Sequence, residues 1–295
     1  MKNIKHSNKD TIKKLGWSFS RYDVFINCKR KYFYDYYSKF DKEISYDKIQ
    51  MLKNLTSKTL IVGNTIHIII KKLLSRYQIT RKPLNINKLF QYSFNIIRKN
   101  SLNKTFFETY YNSERINLMD IYIKVKHCLY NLINSNRFKW IISNPNIIAQ
   151  NSRWIIDPDG YGEAIINNYK VFCKVDFLFP LNNKIYIIDW KTGKQHKQKH
   201  KRQLIMYSLW AHKYMNTLVE DIVPKIVYLF PCYNEYTILI CDEFVHDFMN
   251  LIKYETNHMY QYLTDIDNNI PKSKDNFTKT TNTFYCKYCN YRAIC

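Results

Sequence analysis

The sequence predicts an α/β fold, a mixed β-sheet flanked by helices. Three observations predict it. Apolar residues recur at helical spacing through the first half of the chain, short β-like runs broken by Asn-rich turns begin at Trp154, and a helix-like stretch separates two groups of such runs. A chain of 295 residues is long enough for one sizeable α/β domain, or such a domain with an insertion.

In order, Ser18 to Tyr37 reads as one aromatic and basic helix with Ser18 or Ser20 as N-cap. A second helix starts near Gly63, with Ile66, Ile69, Ile70, Leu73 and Leu74 on its apolar face. From Ile86 to Ile142 the pattern stays helical, with Pro83 and Pro145 as outer punctuation, which makes 84–150 an all-helical insertion. DPDG at 157–160 signals a turn, and Ala164–Ile166, Lys170–Phe179 and Lys184–Trp190 read as strands. Gln195 to Met215 is helical, Lys225–Phe230 and Tyr236–Cys241 are two more strands, and Glu243 to Leu263 is a further helix. Thr264 to Thr283 is polar and loop-like, and the chain closes on a cysteine cluster.

Charge narrows the class of partner. Lys+Arg number 46 against 24 Asp+Glu, a net charge of +22. The abundance of Lys, Asn, Ile and Tyr resembles A+T-rich coding, yet that bias does not account for so few acids. A field of this sign and size draws a polyanion, so nucleic acid is the expected partner over a merely solvated basic surface. The run KTGKQHKQKHKR at 191–202 concentrates the charge. Lys194, Lys197, Lys199, Lys201 and Arg202 are candidate phosphate contacts, which bring affinity without sequence reading. An aromatic content of 16% would allow stacking on unpaired bases.

Other classes are disfavoured. No run of roughly 18 uncharged apolar residues suggests a membrane span. Met1 to Lys14 lacks the apolar segment of a secretory signal, and eight cysteines in a chain this long do not form a secreted disulfide framework. The expected compartment is intracellular and reducing, the cytoplasm or nucleoid. The five glycines, at 16, 63, 160, 162 and 193, make no GxxxxGK[ST] phosphate loop, so any helicase motor would be a partner on a separate chain.

The chemistry concentrates in VDFLFP at 175–180 and IIDWKTGK at 187–194. Asp176 and Asp189 fall at corresponding places on two neighbouring strands. Asp189 and Lys191 project from one face of their strand, and Trp190 between them is expected on an exposed side. Two carboxylates converging at a sheet edge make a hard-oxygen site suited to Mg²⁺ or Mn²⁺. The metal would polarise a phosphate and lower the pKa of a bound water, with Lys191 as a point charge beside it. D-x-K alone is more often a surface ion pair on a hairpin; the upstream Asp and the further residues below reverse that balance.

These motifs resemble the RecB-like branch of the PD-(D/E)XK nucleases, including AddB-type nuclease domains and CRISPR-associated RecB-like exonucleases. The matching residues are Gly63-x-x-x-His67, Asp176, Asp189-Trp190-Lys191-Thr192-Gly193 and Gln203-x-x-x-Tyr207. The resemblance implies a restriction-endonuclease-like mixed sheet. It implies His67, Asp176 and Asp189 as metal ligands with the Trp190 backbone carbonyl, Lys191 as catalytic lysine, and Gln203 and Tyr207 facing the site. Glu163 stands where many relatives carry an acid on the preceding strand and would support that metal or a second one. Cys173 replaces the glycine that usually opens the GxxD motif, which would narrow backbone access there.

Cys286, Cys289 and Cys295 close the chain, and Cys28 stands alone near its other end. Four thiolates suit structural Zn²⁺ or an iron–sulfur cluster, and the ligands alone do not choose. The one-plus-three layout resembles RecB-like nucleases with an iron–sulfur staple, which implies a [4Fe–4S] cluster. Cys128, Cys173, Cys232 and Cys241 read as buried small hydrophobes.

The expectation is one nuclease domain over 1–295. N-terminal helices (15–80) carry Cys28 and His67, the insertion (84–150) precedes a catalytic core (151–263), and a cysteine-bound tail (264–295) ends the chain. It would be a metal-dependent deoxyribonuclease, an exonuclease on DNA ends or single strands, acting in repair, recombination or related processing, with a helicase or repair subunit as a further partner. The alternatives are a catalytically inactive DNA-binding subunit of a helicase–nuclease complex and a zinc-stapled nucleic-acid adaptor.

Overall fold

The computed structural model describes residues 14–158, 163–166 and 168–295. Part of the turn expected at 157–160 and all of the lead before Lys14 lie outside these residues. Helices α1 (Phe19–Asn27), α2 (Lys29–Tyr37) and α3 (Tyr46–Lys53) come first, followed by the long α4 (Lys58–Ile79). Then come α5 (Ile86–Ser101), α6 (Phe107–Asn112), α7 (Leu118–Asn134), α8 (Asn136–Ser143) and α9 (Pro145–Ala149). The second half holds β1 (Ile155–Ile156), β2 (Glu163–Ile166), β3 (Tyr169–Phe172), β4 (Phe177–Leu181), β5 (Lys184–Lys191), α10 (Lys197–Met215), β6 (Ile222–Tyr228) and β7 (Asn234–Thr237). It ends with α11 (Asp242–Tyr260), β8 (Leu263–Asp265), β9 (Ile270–Pro271) and α12 (Thr283–Lys287).

The main sheet is mixed, in the order β1-β4-β5-β6-β7. β4 and β5 form an antiparallel hairpin through Asn182 and Asn183, whose φ angles of 49° and 60° are the left-handed pair that a two-residue turn demands and asparagine tolerates. β5 and β6 run parallel, with α10 as the crossover between them. The sheet divides two apolar cores. One contains α4, α5, α7 and α8 against Phe177, Phe179, Ile188, Trp190 and Val227. The other contains α1, α2, α10 and α11 against Leu178, Ile185, Ile187, Ile226 and Tyr228. Alternation along β4 and β5 thus sends successive residues into different cores. This is the restriction-endonuclease-like α/β architecture that the motifs implied.

Four local expectations need correction. The segment 18–37 is two helices, because Cys28 adopts an extended conformation (φ −159°) and its sulfur caps α2 by accepting from Lys31 N. The expected strand over 170–179 is also two. β3 pairs with β2, and its outer edge is taken by Trp17, which donates to Lys170 O and accepts from Phe172 N, both at 2.8 Å. Gly16 lets the Phe172 ring lie close, since a Cβ there would come within 2.3 Å of it and push it aside. Trp190 is not on an exposed side; it is buried and stacks on Phe177. Cys128 and Cys173 are buried as expected, but Cys232 and Cys241 are exposed.

The tail is also more than a polar loop. Phe277 is fully buried among Tyr32, Phe33, Tyr37 and Tyr262. Arg30 donates from N to Thr278 O and from Nε to Phe277 O, and Tyr291 OH donates to Asp35 at 2.7 Å. Both ends of the described chain therefore share one core. Among the described residues no helix is long and apolar enough to cross a membrane.

The edge strand β7 is tied down by charge. Glu235 binds Arg137 of α8 (2.9 Å) and Lys225 of β6 (2.8 Å) and accepts from Tyr233 OH. Burial raises its pKa, but Arg137, Lys225 and Tyr233 outweigh it and bring it from 4.5 down to about 2. A carboxylate depressed in the folded state stabilises above its unfolded pKa and loses that contribution as pH falls through the folded one. The melting temperature should therefore fall between about pH 4.5 and 2 more steeply in the wild type than in Glu235→Gln, measured by circular dichroism. Parallel acid limbs in the two proteins would show that the cluster contributes nothing.

Candidate active site

Asp176 immediately precedes β4 and Asp189 lies near the end of β5, so the pairing Phe177↔Ile188 sets the two carboxylates side by side at one end of the sheet. Asp176 is fixed from two sides: its Oδ2 accepts from Trp190 N at 2.9 Å, and its Oδ1 lies 3.3 Å from His67 Nδ1. His67 arrives on α4, whose Ile66, Ile69 and Ile70 are buried in the core on the other side. Gly63, one turn earlier, faces Thr192 with room for a Cβ at ordinary contact, 3.7 Å.

Asp189 is almost fully buried. Its Oδ1 accepts from Tyr207 OH (2.8 Å) and Gln203 Nε2 (3.1 Å), both on α10, and Gln203 also contacts Tyr207 OH at 2.5 Å. Lys191 Nζ stands 2.6 Å from Asp189 Oδ2. That oxygen nonetheless lacks a partner in hydrogen-bonding geometry, so the contact is an ion pair off the proper line. His67 with Asp176, and Lys191, Gln203 and Tyr207 with Asp189, thus form two adjacent groups, gathered from α4, the β4–β5 hairpin and α10.

The electrostatics divide the acids. Burial raises the pKa of Asp189, the charge of Asp176 raises it further, and Lys191 offsets only part. For Asp176, burial is outweighed by His67, then Lys191 and the Trp190 N–H, and its pKa falls. Burial works against a charged His67, but Asp176 and then Asp189 outweigh it, so its pKa rises. Burial and the adjacent Asp189 push the Tyr207 hydroxyl far above its ordinary value, so it is a donor at any working pH.

Two neighbouring carboxylates that cannot both ionise easily, one with an unsatisfied oxygen, suit a hard divalent cation, as does an imidazole beside them. The donor set fits such an ion. Its present arrangement is not a closed cage: among the described residues no three His, Cys, Asp or Glu side chains converge into one. Asp189 is turned toward Lys191, Gln203 and Tyr207 instead.

The remaining expected residues lie elsewhere. Glu163 pairs with Lys170 (2.8 Å) on its own hairpin, and no hydrogen bond or ion pair joins it to Asp176 or Asp189 among the described residues. Lys194 and Lys197 are exposed. Lys199 pairs with Asp23 at 2.9 Å, and Lys201 lies over the Phe244 ring. Arg202 donates to the buried Glu255 (2.5 Å), which also accepts from Trp17 Nε1 at 2.8 Å. That ion pair holds α10, α11 and the Trp17 segment together. Cys28, Cys286, Cys289 and Cys295 line a single cavity of about 530 Å³, together with Lys31 and Arg292.

Two neighbours of the site escaped the sequence reading. Asp157 donates its N–H to Asp176 O (2.8 Å), while its carboxylate pairs with Lys174 at 2.6 Å. His200 is buried with its Nδ1 2.6 Å from Tyr228 OH. Burial, then Lys191, holds its pKa down to about 4. Only the register Lys191↔Tyr228 reveals that neighbour, and register is not visible in a single sequence.

The model of the PD-(D/E)XK nuclease superfamily matches residues 16–295, and the chain belongs to that superfamily. No curated protein sequence matches it. Among solved structures it is similar to a protein from Eubacterium rectale described as a candidate exonuclease, at 11% identity and TM-score 0.44, covering 88% of this chain and 86% of that one. It is also similar to SSO0001, at 18% identity and TM-score 0.32, covering 77% of this chain and 94% of that one.

Tyr207→Phe removes one donor to a buried carboxylate and leaves Gln203 in place. It should lower stability by about 1–3 kcal/mol in urea unfolding. An unchanged midpoint would mean that Asp189 does not depend on the hydroxyl.

Proposed function

We propose that this chain is a metal-dependent deoxyribonuclease that hydrolyses phosphodiester bonds at DNA ends or in single strands. The observation that carries the reading is the gathering of His67, Asp176, Asp189 and Lys191 at one end of a sheet of this superfamily. In this reading His67, Asp176, Asp189 and the Trp190 carbonyl hold a divalent cation, Mg²⁺ or Mn²⁺. When bound, the cation supplies Lewis acidity toward the scissile phosphate.

The chain's own residues do the rest. The Trp190 N–H and His67 fix the Asp176 carboxylate, and Tyr207 and Gln203 fix one oxygen of Asp189 while the other lies against Lys191. Lys191 carries a positive charge at the same spot, where charge builds on the phosphoryl oxygens as water attacks phosphorus and the leaving oxygen departs. Glu163 has no role in this reading, because its partner is Lys170. The chain is read as one domain, with the helices of 84–150 as its insertion and 264–295 as its tail.

The cysteine cavity is read as the site of a [4Fe–4S] cluster. Cys28 and the three C-terminal cysteines, far apart in sequence, line this one cavity, and four thiolates suit such a cluster. Lys31 and Arg292 beside them would offset the charge of the thiolates.

Asp189→Ala and Lys191→Ala should each lower the cutting of labelled DNA by orders of magnitude while binding in EDTA persists. Wild-type cutting by either variant would sink the assignment. Cys28→Ser makes a second test, since serine keeps the α2 cap and removes only the thiolate. It should abolish bound iron and sulfide and lower the melting temperature, whereas Cys128→Ser, in the other core, should leave the metal content intact. A cross-link of this span contributes at most about 5 kcal/mol in the chain-entropy model, less here because the aromatic joint already holds the tail. One zinc per chain and no iron would defeat the cluster; wild-type metal content in Cys28→Ser would defeat the staple.

A further inference from the structure

A cleft of about 740 Å³ opens beside the candidate metal ligands. His67 and Asp176 line it, and so do Asn64 of α4, Lys99 and Asn100 at the end of α5, and Lys104 in the following loop. The helical insertion therefore reaches the site, although nothing in its sequence separates these lysines from the many others.

Its reach is firm. Thr56 N donates to Thr105 O (3.0 Å) and Phe107 N to Thr56 O (2.7 Å), which ties the loop carrying Lys104 to the segment just before α4. Leu89 and Ile97 of α5 are buried in the same core as the inner face of α4. Lys99 and Lys104 thus stand at set positions relative to His67.

The charges in the cleft are unequally engaged. Asp157 pairs with Lys174, and Asp176 lies against His67. Lys53, also in the lining, donates to Asp35 O at 2.5 Å. Lys99 and Lys104 are exposed, and among the described residues their ammonium groups make no hydrogen bond or ion pair. In the basic run after Lys191, by contrast, Arg202 and Lys199 are taken by Glu255 and Asp23. Two uncompensated ammonium groups beside a phosphodiester-cutting site match the spaced anionic oxygens of a nucleic-acid backbone.

We propose that Lys99 and Lys104 bind phosphates flanking the scissile one on the strand that is cut, which makes the helical insertion a substrate clamp. The proposal rests on the nuclease reading above. Because the contacts are to bound substrate and not to the reacting phosphate, they act on affinity.

The test uses the full chain and a fluorescein-labelled single-stranded oligodeoxynucleotide, with binding measured in EDTA at several salt concentrations and cutting measured with Mn²⁺. Lys99→Gln/Lys104→Gln should raise KM at least about tenfold with kcat within about twofold. It should also reduce the slope of log affinity against log salt by about 1.4, or 0.7 per lost contact to a single strand. Lys99→Arg/Lys104→Arg should restore both, which a purely structural role of these exposed residues would not require. Unchanged KM and salt slope in the Gln variant, a fall confined to kcat, or failure of the Arg variant to restore binding would each overturn the clamp while leaving the nuclease reading intact. A wild-type chain that neither binds nor cuts the oligonucleotide would overturn the nuclease reading itself, and the clamp with it.

Discussion

The register of β4 against β5 is the constraint on which the site depends. In the pairing Phe177↔Ile188, Ile185, Ile187, Asp189 and Lys191 share one face of the sheet, while Ile188 and Trp190 share the other. A slip by one residue would send Asp189 and Lys191 into the core of α4 and α7 and expose Trp190 to the opposite side. Both faces are buried under helices, so such a slip would strand a carboxylate and an ammonium in an apolar interior. The apolar residues that stabilise the sheet therefore also hold the acids in place.

Burying Asp189 is costly unless its oxygens are met, and the structure meets them from a separate element. α10 is buried along one long stretch, Leu204 to Ala211, and it brings Gln203 and Tyr207 over the end of β5. Its own position is set by β6 beneath it and by the Arg202–Glu255 pair that joins it to α11. Glu255 reaches on to Trp17, and Trp17 to β3, so the far side of the molecule is linked to the strand that carries Asp189 through a few polar contacts. The Trp17–Glu255 contact is buried, which makes it costly to lose.

The joint between the chain's ends follows a different logic. Tyr32, Phe33, Tyr34 and Tyr37 on α2 pack against Phe277 and Tyr291 of the tail, with backbone hydrogen bonds from Arg30. Aromatic rings bury large areas for few rotatable bonds, so this contact orders the tail without calling on metal–sulfur bonding. The four cysteines lie at the edge of that aromatic core and meet in one cavity because the core has already drawn the two ends together.

What the sequence by itself determined is local and periodic. The helical runs, the hairpin at Asn182–Asn183, the apolar β4 and β5, and the spacing of Asp189 and Lys191 on one strand face are all read from neighbours within a few residues. Asp176, Asp189 and Lys191 could be named as a group for that reason. Tertiary structure decided what distance along the chain conceals. It split 18–37 at Cys28, where a sulfur caps the second helix, and split 170–179 where Trp17 claims the edge of β3. It turned Trp190 inward, gave Arg202 to a buried glutamate, and kept Glu163 on a hairpin with Lys170. It also brought Lys99 and Lys104 beside His67. A periodic pattern states which face of an element avoids water, but not which other element will cover it; only the packed chain sets that partner, and with it the use of each buried charge.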